Sequence, residues 1–244
     1  MATTVFGEVA AQYDEVRPEY PAEMAAEIRE YAGGVPAVIT EIGAGTGKAT
    51  ALFAQVGAPM VCVEPDARMA QVLRAKFPAA QVVIADADSW KPPPGGVPVL
   101  AGALVWHLLD EKRRCARVHD VLAENGVVAL IGRKHVADDR AQQAAFDTAY
   151  SADGRAYPHR RPTWIADDLE ASGLFTGITT TRHDTMLPLS AEEYLRFVST
   201  WSSFRLRTPQ QQAALLEALR AAIARTGGSV LMRLETTLNL ARRA

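Results

Sequence analysis

Cysteine is scarce in this sequence, and the few cysteines are not grouped. Only two of the 244 residues are cysteines, Cys62 and Cys115, and neither belongs to a CxxC pair or to a Cys/His cluster. Isolated cysteines of this kind do not match the ligand spacing of a metal site. We therefore expect reduced thiols, as in a cytoplasmic protein, and no metal.

An excess of charge of one sign and long apolar runs are also missing. The chain has 26 Lys and Arg against 28 Asp and Glu, for a net charge of -2. So small an imbalance gives no reason to expect nucleic acid or an anionic membrane as the main partner. No stretch approaches the roughly 18 apolar residues of a membrane helix, and the first 20 residues lack the apolar segment of a targeting signal. We expect a cytoplasmic location.

Short apolar runs alternate with amphipathic, helix-length runs from residue 36 onward. Five strands are predicted in this part, in "AVITEIG", "MVCVE", "QVVIAD", "VLAGALVW" and "GVVALIG". Strands that are apolar throughout and separated by helices predict a parallel sheet covered on both faces. The pattern therefore indicates a doubly wound α/β fold, whose ligands bind at the carboxyl ends of the strands.

The two ends of the chain break this alternation. Residues 6–31 read as helical, with an interruption at Pro18 and Pro21. After residue 134, a helix, the loop "SADGRAYPHRRPTW" and a short helix lead to the strand-like "FTGITTTRHD"; two helices and the alternating "RLETTLNLARR" follow. A single domain of 244 residues is expected. Its predicted parts are an N-terminal helical lid segment (1–34), a core (35–134), a connection with the sixth strand (135–189), a helical lid insertion (190–228) and a last antiparallel strand (229–244).

The stretch "EIGAGTGKAT" fits poorly with two of the three glycine loops that it suggests. A P-loop requires glycine where Ile42 stands and a metal-binding hydroxyl where Ala49 stands. A dinucleotide fingerprint aligned on Gly43 and Gly45 requires a small residue where Lys48 stands. The phosphate loop is excluded, whereas an NAD(P)-dependent oxidoreductase is disfavoured but stays open.

The third loop explains more positions. "TEIGAGTG" resembles motif I of the class I S-adenosylmethionine-dependent methyltransferases, and three further segments resemble that family in the expected order: "VCVEPDARM", "ADADSW" and "RVHDVLAENGVVAL". In the last of these, "ENG" replaces the usual Pro-Gly-Gly. The N-terminal "FGEVAAQYDEVRPEYP" resembles the lead-in of small-molecule methyltransferases related to the trans-aconitate and quinone-pathway enzymes.

The resemblance implies a Rossmann-like methyltransferase with a mostly parallel seven-stranded sheet and S-adenosylmethionine as cofactor. It also implies a small-molecule acceptor for an O-, N- or C-methylation, and a monomer or homodimer. In the family, an acid after the second strand accepts the ribose hydroxyls, and an acidic turn after the third strand contacts the adenine. The cofactor-binding residues implied here are Tyr13, Arg17, Glu41, Gly43, Ala44, Gly45, Gly47, Glu64, Pro65, Met69, Asp86, Ala87 and Ala103.

His107 is the candidate catalytic residue. It follows the fourth predicted strand and matches the histidine of the family's "HWxD" segment, where it would face the transferred methyl group and act as a general base. The alternative is a histidine that only shapes the pocket. Candidate substrate residues near strand ends or on the lid are Trp106, His107, Arg133, His135, Trp164 and Trp201.

Several of these side chains have a plainer interpretation. Tyr194, Phe197, Trp201 and Phe204 are spaced as one apolar stripe of a helix, which more often belongs to a core. The loop with Arg160 and Arg161 reads most simply as exposed. A chain that keeps the cofactor motifs but does not methylate is a further alternative to the enzyme.

Overall fold

A computed structural model describes residues 7–154 and 160–244. Residues 1–6 and 155–159, which include the start of the predicted N-terminal helical segment and part of the predicted loop before Arg160, lie outside the described residues. Seven strands form one sheet in the order β3-β2-β1-β4-β5-β7-β6. They are β1 Ile39–Ile42, β2 Met60–Val63, β3 Gln81–Val83, β4 Val97–Ala103, β5 Leu122–Ala137, β6 Phe175–Ser190 and β7 Ser229–Arg243.

The strand directions confirm the predicted doubly wound fold. All pairings among β1 to β5 are parallel, and β7 runs antiparallel between β5 and β6. The strand order reverses at the β1–β4 pair, and in such sheets ligands bind at the carboxyl ends next to the reversal. This edge of the sheet is therefore where the site is expected.

Ten α-helices surround the described sheet. They are α1 Ala10–Val16, α2 Glu23–Tyr31, α3 Thr50–Phe53, α4 Ala67–Lys76, α5 Arg114–Val121, α6 Arg140–Ser151, α7 Trp164–Ser172, α8 Ala191–Val198, α9 Ser202–Arg205 and α10 Pro209–Arg225. Local signals fix some of their starts. Asp66 is the N-cap of α4. Thr208 and Gln211 form a capping box at the start of α10, whose first residue is Pro209. Among the described helices, none combines the length and the apolar character needed to cross a membrane.

One predicted helix is wrong in extent. The aromatic segment 190–204 forms two helices, α8 and α9, because the chain leaves the helix at Ser199–Trp201. The Thr200 hydroxyl donates to the Phe197 carbonyl at 2.7 Å, and the Thr200 amide donates to the same oxygen at 3.1 Å. Such local bonds compete with continued helix. Trp201 thus occupies the N-cap position of α9 and does not extend the apolar stripe of α8.

Apolar side chains form three clusters. Alternate residues of the central strands pack on opposite faces of the sheet, with Ile39 in one cluster and Ile42 in the other. The third cluster packs α6, α8 and α10 against the C-terminal end of β5 and the N-terminal part of β7. In it Phe146 stacks on Tyr194 at 4.7 Å. The late helices are therefore anchored to the sheet by a core of their own.

A carboxyl group is buried inside the first cluster. Glu41 of β1 is 1% exposed, and the Thr50 hydroxyl of α3 donates to its Oε2 at 2.5 Å. Cys62 Sγ of β2 lies 3.9 Å from the same oxygen. Burial, with a smaller contribution from the negative charge of Glu64, raises the pKa of Glu41 to about 8. The folded protein therefore holds a proton on Glu41 at neutral pH.

Glu41→Gln tests this protonation through the pH dependence of stability. The unfolded chain releases the Glu41 proton near pH 4.5 and the folded chain near pH 8, so wild type loses stability as pH rises between these values. The limiting slope is about 1.4 kcal/mol per pH unit. We expect urea unfolding at pH 5, 6, 7 and 8 to show that the free energy of unfolding of the variant rises relative to that of wild type at each step.

The control is Glu30→Gln, a substitution of an exposed carboxyl group on α2. Its difference from wild type should stay flat over the same range. Parallel stability curves for wild type and Glu41→Gln would contradict a protonated Glu41.

Candidate active site

The glycine loop between β1 and α3 has a backbone that side chains would obstruct. Gly43 has φ of 64°, its amide donates to the Val63 carbonyl at 2.8 Å, and an added Cβ would lie 2.7 Å from a Val105 methyl. Gly47 has φ of 91°, and a Cβ there would lie 2.6 Å from the Phe77 ring. Both positions require glycine. The loop therefore passes tightly between the end of β4 and α4.

Glu64 connects this loop to the end of β2. The Gly45 amide donates to Glu64 Oε2 at 2.8 Å, and the Asp66 amide donates to Oε1 at 2.9 Å. Burial raises the pKa of Glu64, and the two amides oppose that shift. A carboxylate has about four acceptor positions, so two amides leave capacity for ribose hydroxyls. Met69 is buried behind the loop, next to Gly45.

The other predicted cofactor residues lie along the same edge. Ala44 is buried, whereas Pro65, Ala87 and Ala103 are half-buried. Asp86 is exposed, and its Oδ1 accepts hydrogen bonds from the backbone amides of Ser89 at 2.7 Å and Asp88 at 3.0 Å. These bonds, the Ser89 amide foremost, lower the pKa of Asp86. Asp86 closes a turn, and its predicted contact with adenine stays a prediction.

Glu41 differs from the expectation of a ligand-facing acid. Its side chain points beneath the loop, to Thr50 and Cys62, and is buried within the core. The reason is strand alternation, which puts Glu41 on the same face as Ile39. In this structure Glu41 links β1 to α3 and so positions the glycine loop.

A cavity of about 410 Å³ lies beyond the end of β4 and against residues 131–135 of β5. Volumes of roughly 300–1,000 Å³ are typical of small-molecule sites. Its lining includes all of the predicted substrate residues and two of the predicted cofactor residues: Trp106, His107, Arg133, His135, Trp164, Trp201, Tyr13 and Arg17. The glycine loop and Glu64 are not in the lining, but the Gly43–Val105 contact puts the loop directly beside it.

His107 reaches the cavity through a strained turn. Leu104, after β4, has φ of 54°, a left-handed conformation that is uncommon for a leucine, and its amide donates to the Ile131 carbonyl at 2.9 Å. A 3-10 turn, Trp106–Leu108, follows. The His107 ring borders the cavity. Surrounding protein atoms, and then the positive Arg160, Arg114 and Arg17, lower the pKa of His107 to about 4. It is neutral at pH 7 and able to accept a proton.

The tryptophans of the cavity differ in how they are held. Trp106 is 1% exposed, and its Nε1 donates to Asp168 Oδ2 at 2.8 Å, so its main part is structural. Trp201 stacks between His135, at 5.3 Å, and Tyr150, at 5.6 Å. Trp164 is half-buried under the Arg160 guanidinium at 4.2 Å. Trp164 and Trp201 therefore line the cavity with ring atoms while their faces also pack on protein groups.

Arg133 is occupied by the protein itself. Its Nε donates to Thr236 Oγ1 at 2.9 Å, Nη1 to the Pro18 carbonyl at 3.2 Å and Nη2 to the Glu19 carbonyl at 2.9 Å. Burial lowers the pKa of Arg133. These bonds give Arg133 an anchoring role, because they fix the N-terminal segment over the sheet edge, and its predicted substrate contact stays a prediction.

Residues that the sequence did not single out complete the roof of the cavity. Arg17 Nε donates to Thr200 Oγ1 at 3.0 Å, and its Nη2 donates to the Thr200 carbonyl at 3.1 Å. The Arg17 guanidinium also lies 4.7 Å from the Tyr13 ring. The only sequence signal for Thr200 is its position among Ser and Thr residues that interrupt a helical pattern, and Tyr150 has no signal of its own.

Comparisons with known proteins agree with this geometry. Residues 39–126 match the family model described as a methyltransferase domain. An uncharacterized methyltransferase of Mycobacterium tuberculosis is 30% identical over 129 residues, 52% of this chain and 51% of that protein. The trans-aconitate 2-methyltransferase of Paracidovorax citrulli is 33% identical over 96 residues, 38% of this chain and 37% of that protein. The chain thus spans about half, or less, of the length of these relatives.

The fold comparison extends over nearly the whole chain. A proposed type II methyltransferase from Anaeromyxobacter dehalogenans superposes with a TM-score of 0.65 at 21% identity, covering 93% of this chain and 97% of that one. At this identity the likeness concerns the fold, and the family assignment depends on the sequence matches. The domain match over residues 39–126 and the methyltransferase relatives support a class I S-adenosylmethionine-dependent methyltransferase.

Proposed function

We propose that this chain transfers the methyl group of S-adenosylmethionine to an O, N or C atom of a small organic acceptor. The cofactor lies along Gly43–Gly47, Glu64 and Asp86, and the acceptor occupies the cavity beyond β4 and against β5. The observation that carries the proposal is the contact between Gly43 and Val105, because it puts the glycine loop next to the wall that presents His107.

The chemistry asks little of the protein beyond alignment. S-adenosylmethionine supplies an activated methyl group. Bound along Gly43–Gly47 and Glu64, the cofactor would supply an electrophilic methyl group to an electron pair of the acceptor and would leave as the thioether S-adenosylhomocysteine. The proton of the acceptor passes to the neutral imidazole of His107. The roof made by Tyr13 and by Arg17, which Thr200 holds in place, excludes water and holds the acceptor in line.

Cofactor binding is the first test. We expect calorimetry to show binding of S-adenosylmethionine and markedly weaker binding of NADH. Glu64→Gln should weaken S-adenosylmethionine about tenfold, because the amide presents one acceptor oxygen in place of two.

Glu30→Gln, on the exposed face of α2, is the matched control and should bind as wild type does. Tighter binding of NADH than of S-adenosylmethionine would replace the methyltransferase with the oxidoreductase alternative. Cofactor binding without release of S-adenosylhomocysteine over a broad acceptor panel would favour a non-methylating relative.

The base role of His107 predicts a rate loss and an unusual pH profile. His107→Ala and His107→Gln should each lower the single-turnover rate by about 100-fold, the usual scale of general-base catalysis. Because the pKa of His107 is about 4, the neutral base is present down to about pH 5. The wild-type rate should therefore show no fall near pH 6.5 and should fall only as pH approaches 4.

His119→Gln is the matched control, since His119 lies on α5 against Phe175, outside the cavity lining. Its rate should equal that of wild type. Wild-type rates in both His107 variants would leave His107 as a wall residue only.

A further inference from the structure

The side chains around the cavity have an excess of positive charge. Among the described residues, six cationic side chains and a single carboxylate line it: Arg17, Arg133, Lys134, Arg160, Arg161, Arg207 and Glu235. This contrasts with the whole chain, in which acids slightly outnumber bases. The local imbalance is therefore a property of the site and not of the composition.

Protein carboxylates neutralise only part of this charge. Arg207 pairs with Asp153 at 2.8 Å, and Arg161 pairs with Asp167 at 2.9 Å. The one acid of the lining, Glu235, lies 3.1 Å from Arg182 and 3.3 Å from Arg233, neither of which lines the cavity. Glu235 is thus already shared by two arginines.

Three guanidinium groups keep their charge. Arg17 and Arg133 donate to neutral oxygens, of Thr200 and of Thr236, Pro18 and Glu19. Hydrogen bonds to neutral acceptors satisfy the donors but leave the positive charge in place. Arg160 stacks on the Trp164 ring at 4.2 Å. None of the three forms an ion pair with a carboxylate of the described chain.

These guanidinium groups act on one shared space. All three line the same cavity. Burial is the main cause of the lowered pKa values of His107 and His135, and Arg17 contributes to both. Arg17 and Arg133 are half-buried, and holding uncompensated cations there costs free energy, whereas Arg160 is exposed. An anion in the cavity offsets that cost. The cofactor does not provide it, because its sulfonium and ammonium groups outnumber its single carboxylate.

The rest of the lining indicates the body that carries the charge. Tyr150, Trp164 and Trp201 contribute apolar ring atoms to the lining, although His135 and Tyr150 already stack on Trp201 and Arg160 lies over Trp164. We propose that the acceptor is an organic carboxylate on an apolar body, with its charge among Arg17, Arg133 and Arg160 and its body against these apolar atoms of the lining. This inference rests on the proposed methyl transfer and names the substrate class of the same cavity.

Calorimetry on the full chain saturated with S-adenosylhomocysteine tests the inference with three probes of similar shape: 2-naphthoate, 2-naphthamide and 2-naphthylmethylamine. We expect the carboxylate to bind at least about tenfold more tightly than the amide, the amine to bind most weakly, and added salt to weaken the carboxylate alone. Binding of the carboxylate no tighter than that of the amide, or no carboxylate binding, overturns the inference.

Two neighbouring arginines locate the charge. Arg160→Met should weaken 2-naphthoate about fivefold and leave 2-naphthamide unchanged. Arg161→Met is the matched control, because Asp167 already balances that charge, and it should change 2-naphthoate less than about twofold. Equal losses in the two variants count against the proposed position. The result is separable from the proposed function, since the failure of methyl transfer appears as absent S-adenosylmethionine binding or absent S-adenosylhomocysteine release.

Discussion

The guanidinium group of Arg133 holds the site together. From one position on β5 it reaches Thr236 on β7 and the backbone carbonyls of Pro18 and Glu19, more than 110 residues earlier in the chain. A planar group with five donors in a fixed arrangement suits this task, which a lysine ammonium would fill less well. Arg17, in the same N-terminal segment, donates hydrogen bonds to Thr200. The roof of the cavity depends on these two side chains.

Further polar contacts hold the N-terminal segment on both sides of the ligand-binding edge. Lys48, just after the glycine loop, pairs with Glu19 at 2.7 Å, and Lys76 of α4 pairs with Asp14 at 2.6 Å. On the other side, Gln12 Nε2 donates to Ser199 Oγ at 2.7 Å. One short segment thus contacts both the loop and the late helices. The lysine that first suggested a phosphate loop instead helps to hold this segment in place.

Charge is distributed unevenly along that edge. The glycine-loop side contains Glu64, whose carboxylate accepts hydrogen bonds from the Gly45 and Asp66 amides. The cavity side contains Arg17, Arg133 and Arg160, and its two histidines are kept neutral. A carboxylate therefore lies on the glycine-loop side, and guanidinium groups lie on the cavity side. Such a distribution favours a cation and an anion in adjacent positions of one cleft.

The sequence predicted what local pattern controls. Apolar runs identified the strands, and the glycines and Glu64 identified the loop and its partner, since each depends on neighbours a few residues away. The orientation of Glu41 also follows from strand alternation, because an acid two residues after Ile39 on a buried strand points into the same core. The break between α8 and α9 was not predicted, because it depends on the hydrogen bond from the Thr200 hydroxyl to the Phe197 carbonyl and not on the spacing of apolar residues. The partners of Arg17 and Arg133 were not predictable, as they depend on contacts between distant segments.

The same distinction explains why the family match does not determine the acceptor. The family match ends at residue 126, and of the cavity lining only Leu104, Trp106 and His107 lie within it. The other lining residues come from the N-terminal segment, the far half of β5, the start of α7 and the segment around α9. Arginine bonds between distant segments, from Arg17 to Thr200 and from Arg133 to Pro18 and Glu19, hold several of these parts. The acceptor must therefore be inferred from the charges and walls of this cavity, whereas the cofactor follows from the shared loop.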